Sequence, residues 1–187
     1  DILNNLLMAH ICVFCGARTG NNPLYMEVAY QLGEEITKRW HTLVYGGGSR
    51  GLMWAVAAGI INQWWHAIGI IPKFLEKKER EGQSFTESEV IYVDSMDERK
   101  RLLFEKSDAI ITLPGWAGTM DEFFEVLTLR QLEQHEKPLG ILNIENYYTP
   151  LIEYMRRMVE SGFLSVGDIE ILIVREDIES LLNRMEL

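Results

Sequence analysis

Short apolar runs and longer amphipathic runs alternate along the whole chain. The apolar runs "HICVFCG", "HTLVYGGG", "HAIGIIP", "EVIYVDS", "DAIITLPG", "PLGILNI" and "IEILIVR" have the length and β-branched content of strands. Between them, "PLYMEVAYQLGEEITKRW", "GLMWAVAAGIINQ", "SMDERKRLLFEKS", "TMDEFFEVLTLRQLEQHEK", "NYYTPLIEYMRRMVESGF" and "EDIESLLNRMEL" space their apolar residues as helices do. The second of these is apolar nearly all round, which predicts burial on two sides rather than an interface. Ser95 and Glu98 form a capping-box pair at the start of the third. "KFLEKKEREGQSFTES" is polar and charged, and reads as a loop with at most a short helix.

Seven strands alternating with helices, most of the strands continuously apolar, predict an α/β fold. Its core would be a Rossmann-like, doubly wound parallel sheet of about seven strands with helices on both faces. The absence of a repeat, a low-complexity tract or a Pro/Gly/Ser linker predicts one nucleotide-binding domain over residues 1–187. Its first eight or so residues would be a frayed arm or an added segment.

Composition narrows the partners. A formal net charge of -10 argues against nucleic acid and membrane surfaces, yet leaves room for a locally positive pocket. Cys12 and Cys15 make a C-x-x-C spacing, but on a strand such positions face opposite sides of the sheet. Reduced thiols, with no basic n-region in "DILNNLLMAH" and no bilayer-length run, predict a cytoplasmic protein without a signal peptide.

In open parallel sheets, ligands bind beyond the carboxyl ends of the strands. Here those ends carry "CGARTGNNP", "YGGGSRGLM", "DSMDERK" and "LPGWAGTMDE". Glycine turns expose backbone N–H groups, and helix N-termini carry partial positive charge, so the set suits a phosphate. The glycines match neither a G-x-G-x-x-G dinucleotide fingerprint in the first turn nor a P-loop. Thr119 and Glu122 form T-x-x-E, which taken alone reads as a capping box; its place at a strand end beside the glycine turns and Arg99 and Lys100 is what points to a site.

The segments "VYGGGSRGLM", "SMDERK" and "LPGWAGTMDEFFEVLT" resemble the LONELY GUY family of cytokinin riboside 5'-monophosphate phosphoribohydrolases. The resemblance extends over nearly the whole chain after about residue 9. It implies hydrolysis of the N-glycosidic bond of a purine nucleoside 5'-monophosphate, with Arg99 and Glu122 catalytic. It also implies substrate contacts from Lys100, Gly115, Trp116, Ala117, Gly118, Thr119, Thr128, Glu81, Gly47, Gly48 and Met96. No metal or cofactor is implied, and the family's habit is the homodimer. A prenyl group on the base would need an apolar slot, for which Trp116, Met96 and Phe123 are candidates.

Two positions depart from the family pattern. Ala17 stands where serine is common, and Trp116 where the signature has its second glycine. A negative φ at Trp116 would let the indole swing outward and leave the phosphate site open. The contending reading is a non-catalytic nucleotide or molybdenum-cofactor carrier of the same fold; a plain dinucleotide-binding module lacks its fingerprint.

Overall fold

The computed structural model describes residues 8–79 and 88–187. Seven strands form one sheet: β1 (His10–Phe14), β2 (Thr42–Tyr45), β3 (Ala67–Pro72), β4 (Glu89–Val93), β5 (Ala109–Thr112), β6 (Leu139–Leu142) and β7 (Leu172–Arg175). All neighbours pair in parallel, in the order β4-β3-β2-β1-β5-β6-β7. The chain therefore winds outward from β1 to β4, then restarts on the other flank of β1 at β5. The loops after β1 and β5 diverge at that reversal and open a crevice.

The helices are α1 (Leu24–Lys38), α2 (Gly51–Ile61), α3 (Lys73–Glu79), α4 (Met96–Glu105), α5 (Ala117–Gln131), α6 (Thr149–Glu160), α7 (Val166–Glu170) and α8 (Ile178–Arg184). They cover both faces. Ile11, Val13, Leu43 and Ile111 join residues of α1, α2 and α8 in one apolar cluster. Cys12, Val44 and Ile110 join residues of α4, α5 and α6 in the other. This is the period-2 alternation of strands buried on both sides. It also separates the two cysteines, Cys12 into one cluster and Cys15 into the other, both as free thiols.

The apolar α2 is core, as expected. It packs against α1 where two glycines meet: a Cβ on Gly33 would lie 2.2 Å from the Val56 carbonyl oxygen, and one on Gly59 2.2 Å from that of Tyr30. Only hydrogen at both positions lets the backbones approach this closely.

Several boundaries differ from the sequence reading. A helix does occupy Lys73–Glu79, while the rest of that segment, with Glu81, lies outside the described residues. A short helix not expected from periodicity, α7, is held by a reciprocal capping box of Ser165 and Asp168. It takes up Ile169 and Glu170, so β7 starts at Leu172. At α4, the Ser95 hydroxyl accepts the Glu98 N–H as foreseen, but the Glu98 carboxylate accepts from the N–H of Asp94 rather than Ser95.

The largest shift is at α5, which begins at Ala117 with Trp116 as its N-cap. Thr119 is the third helical residue and makes no cap bond, so the T-x-x-E capping-box reading is set aside.

Candidate active site

The loops beyond β1, β2 and β5 are stitched together by backbone contacts. The N–H of Gly16 donates to the Pro114 carbonyl at 2.9 Å, and that of Leu52 to the Gly16 carbonyl at 3.0 Å. Tyr148 donates its hydroxyl to the Leu113 carbonyl at 2.7 Å, and Tyr147 donates to that of Gly115. These two tyrosines fix the β5 loop from outside. The sequence reading missed them, because only the adjacency of β6 to β5 brings "NYY" within reach.

Arg99, on α4, is 6% exposed. Its Nε donates to the Ile70 carbonyl at 3.2 Å and its Nη2 to the Gly46 carbonyl at 2.8 Å. The guanidinium thus bridges β3 and the turn after β2, while Nη1 lies 4.0 Å from the Met96 sulfur. A Cβ on Gly46 would sit 2.0 Å from Nη2, so the first glycine of the triplet makes room for the arginine. Gly47 takes φ +70°, a left-handed turn that favours glycine.

Arg99 and Glu122 line the same cavity, of about 210 Å³, with Met96, Trp116, Gly118 and Thr119 around them. Cys15 lies in its wall and senses both charges: burial pushes its thiol up, Glu122 adds to the shift, and Arg99 opposes it. A carboxylate and a buried guanidinium therefore share one small compartment, beside the N–H groups that open α5. Open space lies where a Cβ on Gly118 would be, whereas one on Gly115 would meet Thr119 Oγ1 at 2.1 Å. Gly118 leaves the helix start accessible; Gly115 lets the loop close over buried Thr119.

Trp116 has φ −124° and ψ −148°, so it avoids the left-handed region that favours glycine. Its side chain is 75% exposed, which agrees with an outward indole. It borders both the small cavity and a larger one shared with Gly48 and Gly115. Exposed Ala117 follows it at the first helical position.

Other sequence candidates are not gathered here. Lys100 bonds Asp121 at 3.1 Å and Glu125 at 2.7 Å, tying α4 to α5. The bond to Glu125, and that to Asp121 against the cost of burial, push its pKa up to about 12. Neither Lys100 nor exposed Thr128 lines either cavity, although Asp121, a partner of Lys100, lines the smaller one. Gly47 lines neither one as well, although Gly48 lines the larger. Phe123 is 2% exposed in the core and so is not a slot for a prenyl group.

A family model described as "Possible lysine decarboxylase" matches residues 53–185. A cytokinin riboside 5'-monophosphate phosphoribohydrolase of Arabidopsis thaliana is 42% identical over 176 residues, spanning 94% of this chain and 82% of the relative. The chain belongs to the LONELY GUY family. A probable enzyme of that name from Oryza sativa subsp. japonica is 40% identical to this family member over 94% of the chain and 71% of the relative.

Among solved structures, this LONELY GUY chain is similar to the molybdenum cofactor binding protein of Rippkaea orientalis, with a TM-score of 0.70 and 21% identity over 96% of each chain. The Moco carrier protein of Chlamydomonas reinhardtii gives 0.71 and 18%, also over 96% of each. At such identities the likeness is one of fold, and it agrees with the parallel α/β sheet seen here.

Proposed function

We propose that this chain hydrolyses the N-glycosidic bond of a purine nucleoside 5'-monophosphate, a cytokinin riboside 5'-monophosphate or AMP, giving free base and ribose 5-phosphate. The observation that carries the reading is the shared cavity of Arg99, Glu122 and the opening turn of α5. Family membership supports it, since the curated relatives are phosphoribohydrolases.

In this reading the 5'-phosphate rests on the N–H groups of Gly118 and Thr119, where a helix N-terminus favours an anion. As the bond between the anomeric carbon and the base nitrogen breaks, positive charge develops on the ribose. Glu122 stabilises that charge and takes a proton from the attacking water, whose oxygen bonds the anomeric carbon. The departing base leaves with the bonding pair and takes up a proton from solvent water, and Glu122 returns its own to solvent, so that one water is consumed in all. Arg99 stays charged throughout, so it cannot act as a base; it holds the departing base while negative charge develops there. Lys100, by pairing with Asp121 and Glu125, holds α4 and α5 at the spacing that sets Arg99 opposite Glu122.

Met96 and Trp116 edge the compartment and offer apolar surface to an N6 substituent. We further propose a cytoplasmic homodimer, in keeping with the family resemblance; among the described residues no helix is long and apolar enough to cross a membrane.

The test is to incubate the protein with AMP and with N6-prenylated AMP and to quantify free base by chromatography. Release from either supports the hydrolase. Tight binding of both with release from neither would instead favour a carrier.

A further inference from the structure

Trp116 also borders a second cavity of about 620 Å³, three times the volume of the one that holds Arg99 and Glu122. Arg18, Arg50 and Lys78 line it, together with the rings of Tyr25 and Tyr147. Among the described residues no carboxylate does, although the chain carries 28 acidic side chains against 18 basic ones. Three cations, with no acid among the described residues of the lining, make this concavity locally basic on an acidic chain.

Two of the cations are placed by the backbone. Arg50 is the N-cap of the eleven-residue α2, and its side chain makes no cap bond. Arg18 rides directly over the start of that helix: a Cβ on Gly51 would lie 2.4 Å from the Arg18 nitrogen. The partial positive charge of the α2 N-terminus therefore lies beside the backbone of both arginines and adds to the positive character of the cavity they line. No ion pair joins Arg18, Arg50 or Lys78 to a described carboxylate. Tyr25 and Tyr147 meet edge to face, with centroids 5.9 Å apart, and give the cavity an aromatic wall. Its volume falls in the range of small-molecule sites, roughly 300–1,000 Å³.

We propose that this cavity is a second phosphate subsite, separate from the opening turn of α5. The two compartments share Ala17, Met53 and Trp116, so they form one crevice around the indole. The phosphate held by Arg18, Arg50 and Lys78 is either the terminal group of a nucleoside 5'-diphosphate or a free phosphate bound beside a monophosphate. Where the first phosphate sits rests on the function proposed above. The second subsite is read by binding alone, so its failure and the failure of that function are told apart.

The experiment is calorimetric titration of AMP, ADP and inorganic phosphate into the Glu122→Gln protein and into the same protein carrying Arg18→Ala and Arg50→Ala. Binding of ADP at least about tenfold tighter than AMP, lost in the arginine variant, assigns the subsite to the same nucleotide. Binding of inorganic phosphate to AMP-saturated protein, lost in the same variant, assigns it to the free ion. AMP affinity should stay within about twofold, which reports an intact fold and first site. If the arginine pair does not fold, Lys78→Ala supplies the comparison. Equal affinities for AMP and ADP with no phosphate bound to the AMP complex would overturn the proposal. So would an ADP preference or phosphate binding that survives removal of the cations.

Discussion

The Nη2 of Arg99 donates to the carbonyl of Gly46 at 2.8 Å, across a gap that a single methyl group on Gly46 would close to 2.0 Å. The position of a buried cation on α4 is thereby set by a glycine after β2. Gly46→Ala should displace the guanidinium, costing about 1–3 kcal/mol of stability by overpacking. Base release should fall by about 100-fold, the scale of a 1 Å misplacement at a reacting group. Urea unfolding and steady-state kinetics on one variant measure both. A stable Gly46→Ala protein with unaltered turnover would show that the Arg99 geometry does not matter.

Trp116 offers the opposite expectation. Its φ is negative and its ring is largely exposed, so the indole is neither strained nor committed to the core. Trp116→Gly should lower stability by only about 0.4–1 kcal/mol, mainly through the freedom gained by the unfolded chain. Hydrolysis of AMP should remain within about threefold of the parent, a difference under 1 kcal/mol. A large gain in activity on restoring the glycine would mean that the indole obstructs the site.

Lys100 answers to two acids. With Asp121 and Glu125 both in reach, either can hold the ammonium when the other is neutralised. Lys100→Met should therefore cost about 1 kcal/mol, and Asp121→Asn or Glu125→Gln singly less than that. Chemical denaturation of the three variants at low salt orders them. A Lys100→Met variant of full stability but greatly raised KM would make Lys100 a substrate ligand rather than a clamp.

His41 sets an acid limit. It is buried, its Nδ1 accepts the Ala9 N–H at 3.1 Å, and its Nε2 has no partner among the described residues. Burial, and then Arg39, hold its pKa below the ordinary value of 6.5. The unfolded chain therefore takes up a proton that the folded one resists. The contribution of His41 to stability is whole above about pH 6.5 and declines as the pH falls from there toward the folded pKa. Between about pH 7 and pH 5 the urea midpoint should drop further for the parent than for His41→Phe. Parallel slopes would contradict this.

The layered fold was legible in the residues because its signals are local. Alternation in "HICVF" and helical spacing in "LYMEVAYQLGEEITK" each act within one element. What escaped depends on adjacency or on weak local cues. The tyrosines at 147 and 148 reach the β5 loop only because β6 lies beside β5, and Lys100 finds its acids one and two turns along a different helix. The start of α5 was misplaced because Trp116, Ala117 and Gly118 look like a turn, although the helix begins within them. The five-residue α7 is too short for periodicity to show, and its only mark was Ser165 three residues before Asp168. Within the site, Arg99, Glu122, Gly118 and Thr119 could be read from motif resemblance and do converge. Spacing alone did not reveal that Lys100 spends its charge on Asp121 and Glu125.

The pairing of Arg99 with Glu122 in one compartment bears most directly on chemistry, and one measurement tests it. Adenine released from AMP is followed for the parent protein and for Glu122→Gln, with AMP binding measured in parallel. Release should fall by roughly 10²–10⁴-fold while AMP is still bound, the loss expected for a positioned acid–base group. An undiminished rate of adenine release from Glu122→Gln would contradict it.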